Sequence, residues 1–142
     1  MTALDALQST LGEEHLALYT YGVLGARTSQ TASPTLHAIL DTAYRRHRAR
    51  RDQLRLMIDE AGGTPIAAEP AYELDGRLIQ PRAIEAAALA IEEAGTLVLM
   101  ALVAQSAATV REWALTEVIW SAGWGLELGG TPQTWPGAPE LA

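Results

Sequence analysis

The 142-residue chain contains no cysteine, no lysine and no phenylalanine. Without cysteine there is no disulfide scaffold, zinc ribbon, iron–sulfur ligand or thiol nucleophile. Without lysine there is no Schiff-base amine and no phosphate-loop lysine. Positive charge is scarce too. Ten arginines stand against 17 acids, and the net charge of −7 argues against a nucleic-acid partner. Residues 1–15 lack both a basic start and a continuous apolar run, so no targeting segment is expected. The most apolar window, residues 86–108, carries Glu92, Glu93 and Gln105. Paired carboxylates do not belong near the centre of a membrane span, so a buried helix, no membrane partner and a cytoplasmic location are expected.

What is present is helical patterning. Alanine occurs 26 times and leucine 20 times. Leu4, Leu7, Leu11, Glu14, Leu18, Tyr21 and Gly25 follow a 3-4-3-4 rhythm that aligns them on one helix face over residues 3–26. Ser33-Pro34 reads as a cap followed by a first-turn proline. It opens a second stripe of Leu36, Leu40, Ala43, His47, Arg50 or Arg51, Leu54 and Met57, which Gly62-Gly63 ends. Residues 62–81 are rich in Gly and Pro, yet Ile66, Tyr72, Leu74 and Leu78 demand burial, so this stretch should lie along the helices. Pro81 opens a third helix to about Ala107. Thr109-x-x-Glu112 fits a capping box for a fourth, which ends near Gly125 or Gly129. A tail, residues 131–142, holds three prolines and one candidate anchor, Trp135.

This reads as an all-α, antiparallel four-helix bundle over residues 1–130, with one long crossover connection between helices two and three. That connectivity is the ferritin-like one. Its usual centre takes a Glu from each of two helices and a Glu-x-x-His from each of the other two, because two hard cations need several carboxylates to balance them. Here the candidates are Glu14, His47, Glu92 and Glu117. Wheel geometry favours Glu92 over Glu93, whereas analogy with Glu13-Glu14 favours the second acid of the pair. Two further ligand positions hold aromatics: Tyr44 stands where Glu should precede His47, and Trp120 where His should follow Glu117. A weak internal repeat supports a doubled helix pair: Glu13-Glu14 precedes Tyr44-x-x-His47 as Glu92-Glu93 precedes Glu117-x-x-Trp120.

Six of the ten arginines fall between Arg45 and Arg55. Residues in a row fan around a helix, so some of them must face inward. Arg50 or Arg51 falls on the stripe one turn below His47, and a buried guanidinium there needs carboxylate partners, for which Glu14, Glu92 and Glu117 are the candidates. Two readings follow. In the first, arginine occupies the cavity, no cofactor is expected, and the protein is a non-enzymatic structural or interaction module. In the second, the acids and His47 hold iron or another divalent metal and handle iron or peroxide. An apolar third helix and the three tryptophans of the fourth exceed what a small core absorbs, so a homodimer is expected.

The block His47-Arg48-Ala49-Arg50-Arg51-Asp52, the loop Glu69-Pro70-Ala71-Tyr72, and Glu13-Glu14-His15 with Ile91-Glu92-Glu93-Ala94 resemble an actinobacterial ferritin-like domain family of unknown function. The resemblance spans nearly the whole chain. It implies a four-helix bundle and no established activity.

Overall fold

The computed structural model describes residues 1–141. Four helices follow in order: α1, Ala3–Ala26; α2, Pro34–Glu60; α3, Pro81–Gln105; and α4, Ala108–Glu127. A short 3-10 turn, Pro139–Leu141, follows, and there is no strand among the described residues.

The helix starts differ in their local chemistry. Thr2 and Asp5 form a reciprocal capping box at α1, each side chain bonded to the other residue's backbone N–H. Ser33 occupies the cap position of α2 without a side-chain bond, and Pro34 supplies the pre-set first turn. The capping box expected at Thr109–Glu112 does not form. The link from α3 to α4 is only Ser106-Ala107, so α4 begins at Ala108, before Thr109 can cap it. The tightness of that link shows in Ala108, a non-glycine residue at φ +47°.

The α1 and α2 helices form one antiparallel hairpin, α3 and α4 another, and α1 packs on α3. Thr10 meets Val98 while Tyr21 meets Ala88, so α1 and α3 run in opposite directions. The seam between α2 and α4 is bridged by long side chains rather than by close backbone approach.

The segment between α2 and α3 runs along α1 for most of its length. Gln8 holds the backbone of Thr64 and Ile66. The His15 ring bonds the Ile66 carbonyl, Tyr72 packs on Tyr19, and Arg27 donates to the carbonyl of Asp75. Of the side chains expected to be buried, Tyr72, Leu74 and Leu78 are half-buried. Ile66 remains exposed, at 43%, while its backbone bonds Gln8 and His15.

The core divides into two apolar clusters. One gathers Tyr21, Leu24, Leu40, Ile84 and Ala88, and the other Leu7, Leu11, Leu54, Ile58 and Leu102. Between them lies a layer of buried polar side chains. The α3 helix is long and apolar enough to cross a membrane, yet it carries the carboxylate of Glu92 into this layer.

The tail does not use Trp135 as its anchor. That side chain is half exposed, while Ala138 is buried. Gly137, at φ +74°, lies so close to the Thr96 carbonyl that a Cβ there would overlap it. A glycine is what lets the chain settle on α3 at this point. Ala142, the last residue of the expected tail, lies outside the described residues.

Candidate functional site

Each helix sends one candidate residue into the polar layer. Glu14 comes from α1, His47 from α2, Glu92 from α3 and Glu117 from α4, and all four are buried. Glu92 points inward and Glu93 outward, as the wheel indicates. Arg50 joins them at 1% exposure, the largest fully buried side chain of the protein. Arg51 does not. One residue further round the helix, it is half-buried and pairs with its neighbour Asp52 at 2.6 Å.

His47 sits between two carboxylates. Its Nδ1 is 2.6 Å from Glu14 Oε2 and its Nε2 is 3.0 Å from Glu92 Oε1. A ring that bonds carboxylates through both nitrogens is held as the imidazolium, since each nitrogen must then donate. Burial alone would lower its pKa, but Glu14 and Glu92 outweigh burial and push it up to about 9. Tyr21 stacks on the same ring and donates its hydroxyl to Glu92 Oε1 at 2.6 Å. Burial and the adjacent carboxylate hold that phenol protonated far above its ordinary range. Burial opposes ionisation of Glu92, yet bonding to His47 and Tyr21 and a nearby Ser121 hydroxyl keep its carboxyl below the usual value.

Glu117 is saturated by arginine. Arg50 Nε donates to Oε2 at 2.6 Å, and Arg46 forks onto both oxygens at 2.8 and 2.5 Å. Arg50 Nη2 also donates to the Glu117 carbonyl at 2.9 Å and to the Ser121 hydroxyl at 2.8 Å. Its Nη1 lies 3.6 Å from Glu14 Oε1, close enough for attraction but outside hydrogen-bonding distance. Both guanidinium groups lie over the Trp120 ring, at 5.1 and 5.4 Å from its centre. The aromatic at that position therefore supports the arginines.

The charges of the layer cancel. Arg46, His47 and Arg50 carry three positive charges, and Glu14, Glu92 and Glu117 carry three negative ones. The network thus avoids most of the cost of burying an unpaired charge. The donor set does not fit a two-metal centre in this arrangement. Neither nitrogen of His47 is free, and both Glu117 oxygens already accept from arginine. Among the described residues, no group of three His, Asp or Glu side chains has the geometry to hold a metal ion.

Two members of the layer, Arg46 and Ser121, are not singled out by the spacing argument, and Tyr21, placed by it on the Glu14 stripe, is given no role there. Arg46 and Ser121 nonetheless stand at helical spacing from residues that are: four before Arg50 and four after Glu117.

Comparison with known families matches residues 6–140 to a family described as a domain of unknown function, DUF4439. A solved structure of a conserved hypothetical protein from Mycobacterium tuberculosis is similar to this chain. It shares 26% identity over 89% of this chain and 95% of its own, with a TM-score of 0.81. No curated protein matches the chain.

Proposed function

The chain belongs to the DUF4439 family of domains of unknown function, and on that premise we propose that it is a metal-free structural or interaction module built on a ferritin-like bundle. In this reading the cavity that holds two metal ions in ferritin-like proteins is filled by an arginine–glutamate–histidine network. The observation that carries the reading is Arg50, fully buried with its Nε on Glu117 and its guanidinium over Trp120. A fixed cation in the middle of the layer supplies the positive charge that metal ions would supply, and it repels them. The polar layer also specifies helix pairing. A helix slipped by one turn would leave Glu92 or Glu117 buried without its partner, which costs several kcal/mol.

The working unit in this proposal is a homodimer in the cytoplasm. Leu115, Ile119 and Leu126 lie along one exposed face of α4, and Leu97 is exposed on α3. Such a stripe on a chain of this size is in keeping with a partner surface. The alternative, a carboxylate and histidine metal site for iron or peroxide chemistry, draws on the convergence of Glu14, His47, Glu92 and Glu117 from four helices. Elemental analysis of protein purified without chelator tests the two. The proposal expects less than one-tenth of an equivalent of any transition metal (about the background of such an assay), and stoichiometric iron or manganese would establish the alternative.

A further inference from the structure

A cavity of about 30 Å³ opens beside the polar layer, between α3, α4 and the returning segment 130–138. One water needs ~10–15 Å³ by this measure, so the space suits a group of two or three heavy atoms. One side is open to solvent.

Its walls are rich in hydrogen-bond acceptors. Glu92 lines it. The Oε1 atom of that residue is taken by Tyr21 and His47, while Oε2 is buried with no hydrogen-bond partner. The Ser121 hydroxyl, which accepts from Arg50, lies near this carboxylate without forming a hydrogen bond to Oε2. The Thr96 hydroxyl spends its hydrogen on the Glu93 carbonyl at 2.7 Å, so only lone pairs remain to face the cavity. Gln133 adds a side-chain amide to the wall. An unsatisfied buried carboxylate oxygen is costly, and the group that answers it must donate.

Charge selects among donors. The six groups of the polar layer already sum to zero. Glu93 lies outside that sum, lines the same cavity and has no ion-pair partner among the described residues. A cation placed here therefore meets one carboxylate more than the layer's own cations balance. A primary ammonium carries that charge with three donors and no acceptor. Leu89, Ala122 and Pro136 offer apolar surface for the carbon next to it, and no aromatic ring lines the space to favour a quaternary cation.

We propose that this cavity binds the ammonium end of a small primary amine, with the head group on Glu92 Oε2 and its first carbons against Leu89 and Pro136. The segment 130–138 forms the outer wall, held in place by the contact of Gly137 with α3. Binding couples the tail to the polar layer, because one ligand touches both. The inference concerns a site next to the arginine network and goes beyond the structural role proposed above.

The test is an NMR titration of the full chain with ethylammonium chloride, exchanged against sodium chloride at constant ionic strength, with backbone amides as reporters. Three heavy atoms can hold a dissociation constant of ~1 mM or weaker. Saturable shifts are expected for residues around Thr96, Ser121 and Gly130, with none from tetramethylammonium at the same concentration. Ala122→Leu, which fills the cavity and leaves the network intact, should abolish them. Glu93→Gln, on the exposed side, should weaken binding about threefold, the worth of one solvent-facing charge. Shifts that rise without saturation, shifts that persist in Ala122→Leu, or saturation by calcium chloride in place of ethylammonium would each overturn the proposal.

Discussion

Replacing Arg50 by methionine removes the charge at the centre of the bundle and keeps most of the volume. Arg50 makes three hydrogen bonds, to Glu117 Oε2, the Glu117 carbonyl and Ser121, and lies near Glu14. After the substitution the layer holds two cations against three carboxylates. Breaking a buried pair from one side costs ~3–5 kcal/mol. Here Glu117 keeps its fork to Arg46, and Glu14 keeps His47. The loss should therefore fall near the lower end, about 3 kcal/mol. Urea unfolding followed by helix circular dichroism measures it. Arg51→Met is the matched control. That side chain pairs only with half-exposed Asp52, so its loss should cost ~0–1 kcal/mol. If Arg50→Met also unfolds within about 1 kcal/mol of the parent, the arginine is solvated in solution and the network carries none of the stability assigned to it. A second variant removes both sides of the pair. Arg50→Met with Glu117→Gln should recover part of the loss, since two cations, Arg46 and His47, then face two carboxylates, Glu14 and Glu92.

Three further outcomes follow from the same layer and its surroundings. The native pKa of His47, about 9 against 6.5 for the free side chain, means the folded protein holds a proton that the unfolded chain gives up. Stability is therefore full below about pH 6.5 and falls by on the order of 3 kcal/mol as pH rises through 9; a flat urea midpoint from pH 6 to 10 would contradict this. Tyr21→Phe strips Glu92 of its 2.6 Å donor and should cost ~1–3 kcal/mol, with the acid limb of the stability profile moved to higher pH; an unchanged midpoint at pH 5 would show that the bond contributes nothing. Sedimentation at tens of micromolar should give a dimer, which Ile119→Arg on the exposed face of α4 should dissociate; a monomeric parent protein would refute the dimer.

The helices were legible because their signals are local. The leucine rhythm of α1, the Ser33-Pro34 start and the Gly62 stop depend on residues within a turn of one another, and their bounds come close to those observed. The start of α4 was misread because the two-residue link to α3 overrides the local capping pattern. Trp135 drew attention as the largest apolar side chain of the tail, but the tail is seated by Gly137 and Ala138, whose small size permits the close approach. In the polar layer, wheel position separates Glu92 from Glu93 and marks Glu14, His47 and Glu117 as inward. It could not choose between Arg50 and Arg51, because adjacent residues near the edge of a stripe differ by only one rotation step. The role of Arg46 lay beyond any single helix. It depends on where α4 brings Glu117 against α2, and no periodicity within one element records that distance.

The central claim is that a guanidinium takes the place of metal ions between Glu14 and Glu117. Diffraction at an iron or manganese absorption edge, on crystals grown with an excess of that ion, tests it most directly. The account predicts no anomalous peak in the polar layer, with Arg50 in density between the two acids and bonded to Glu117. Two peaks ~3.5–4 Å apart, held by Glu14, His47, Glu92 and Glu117 with Arg50 swung away, would contradict it.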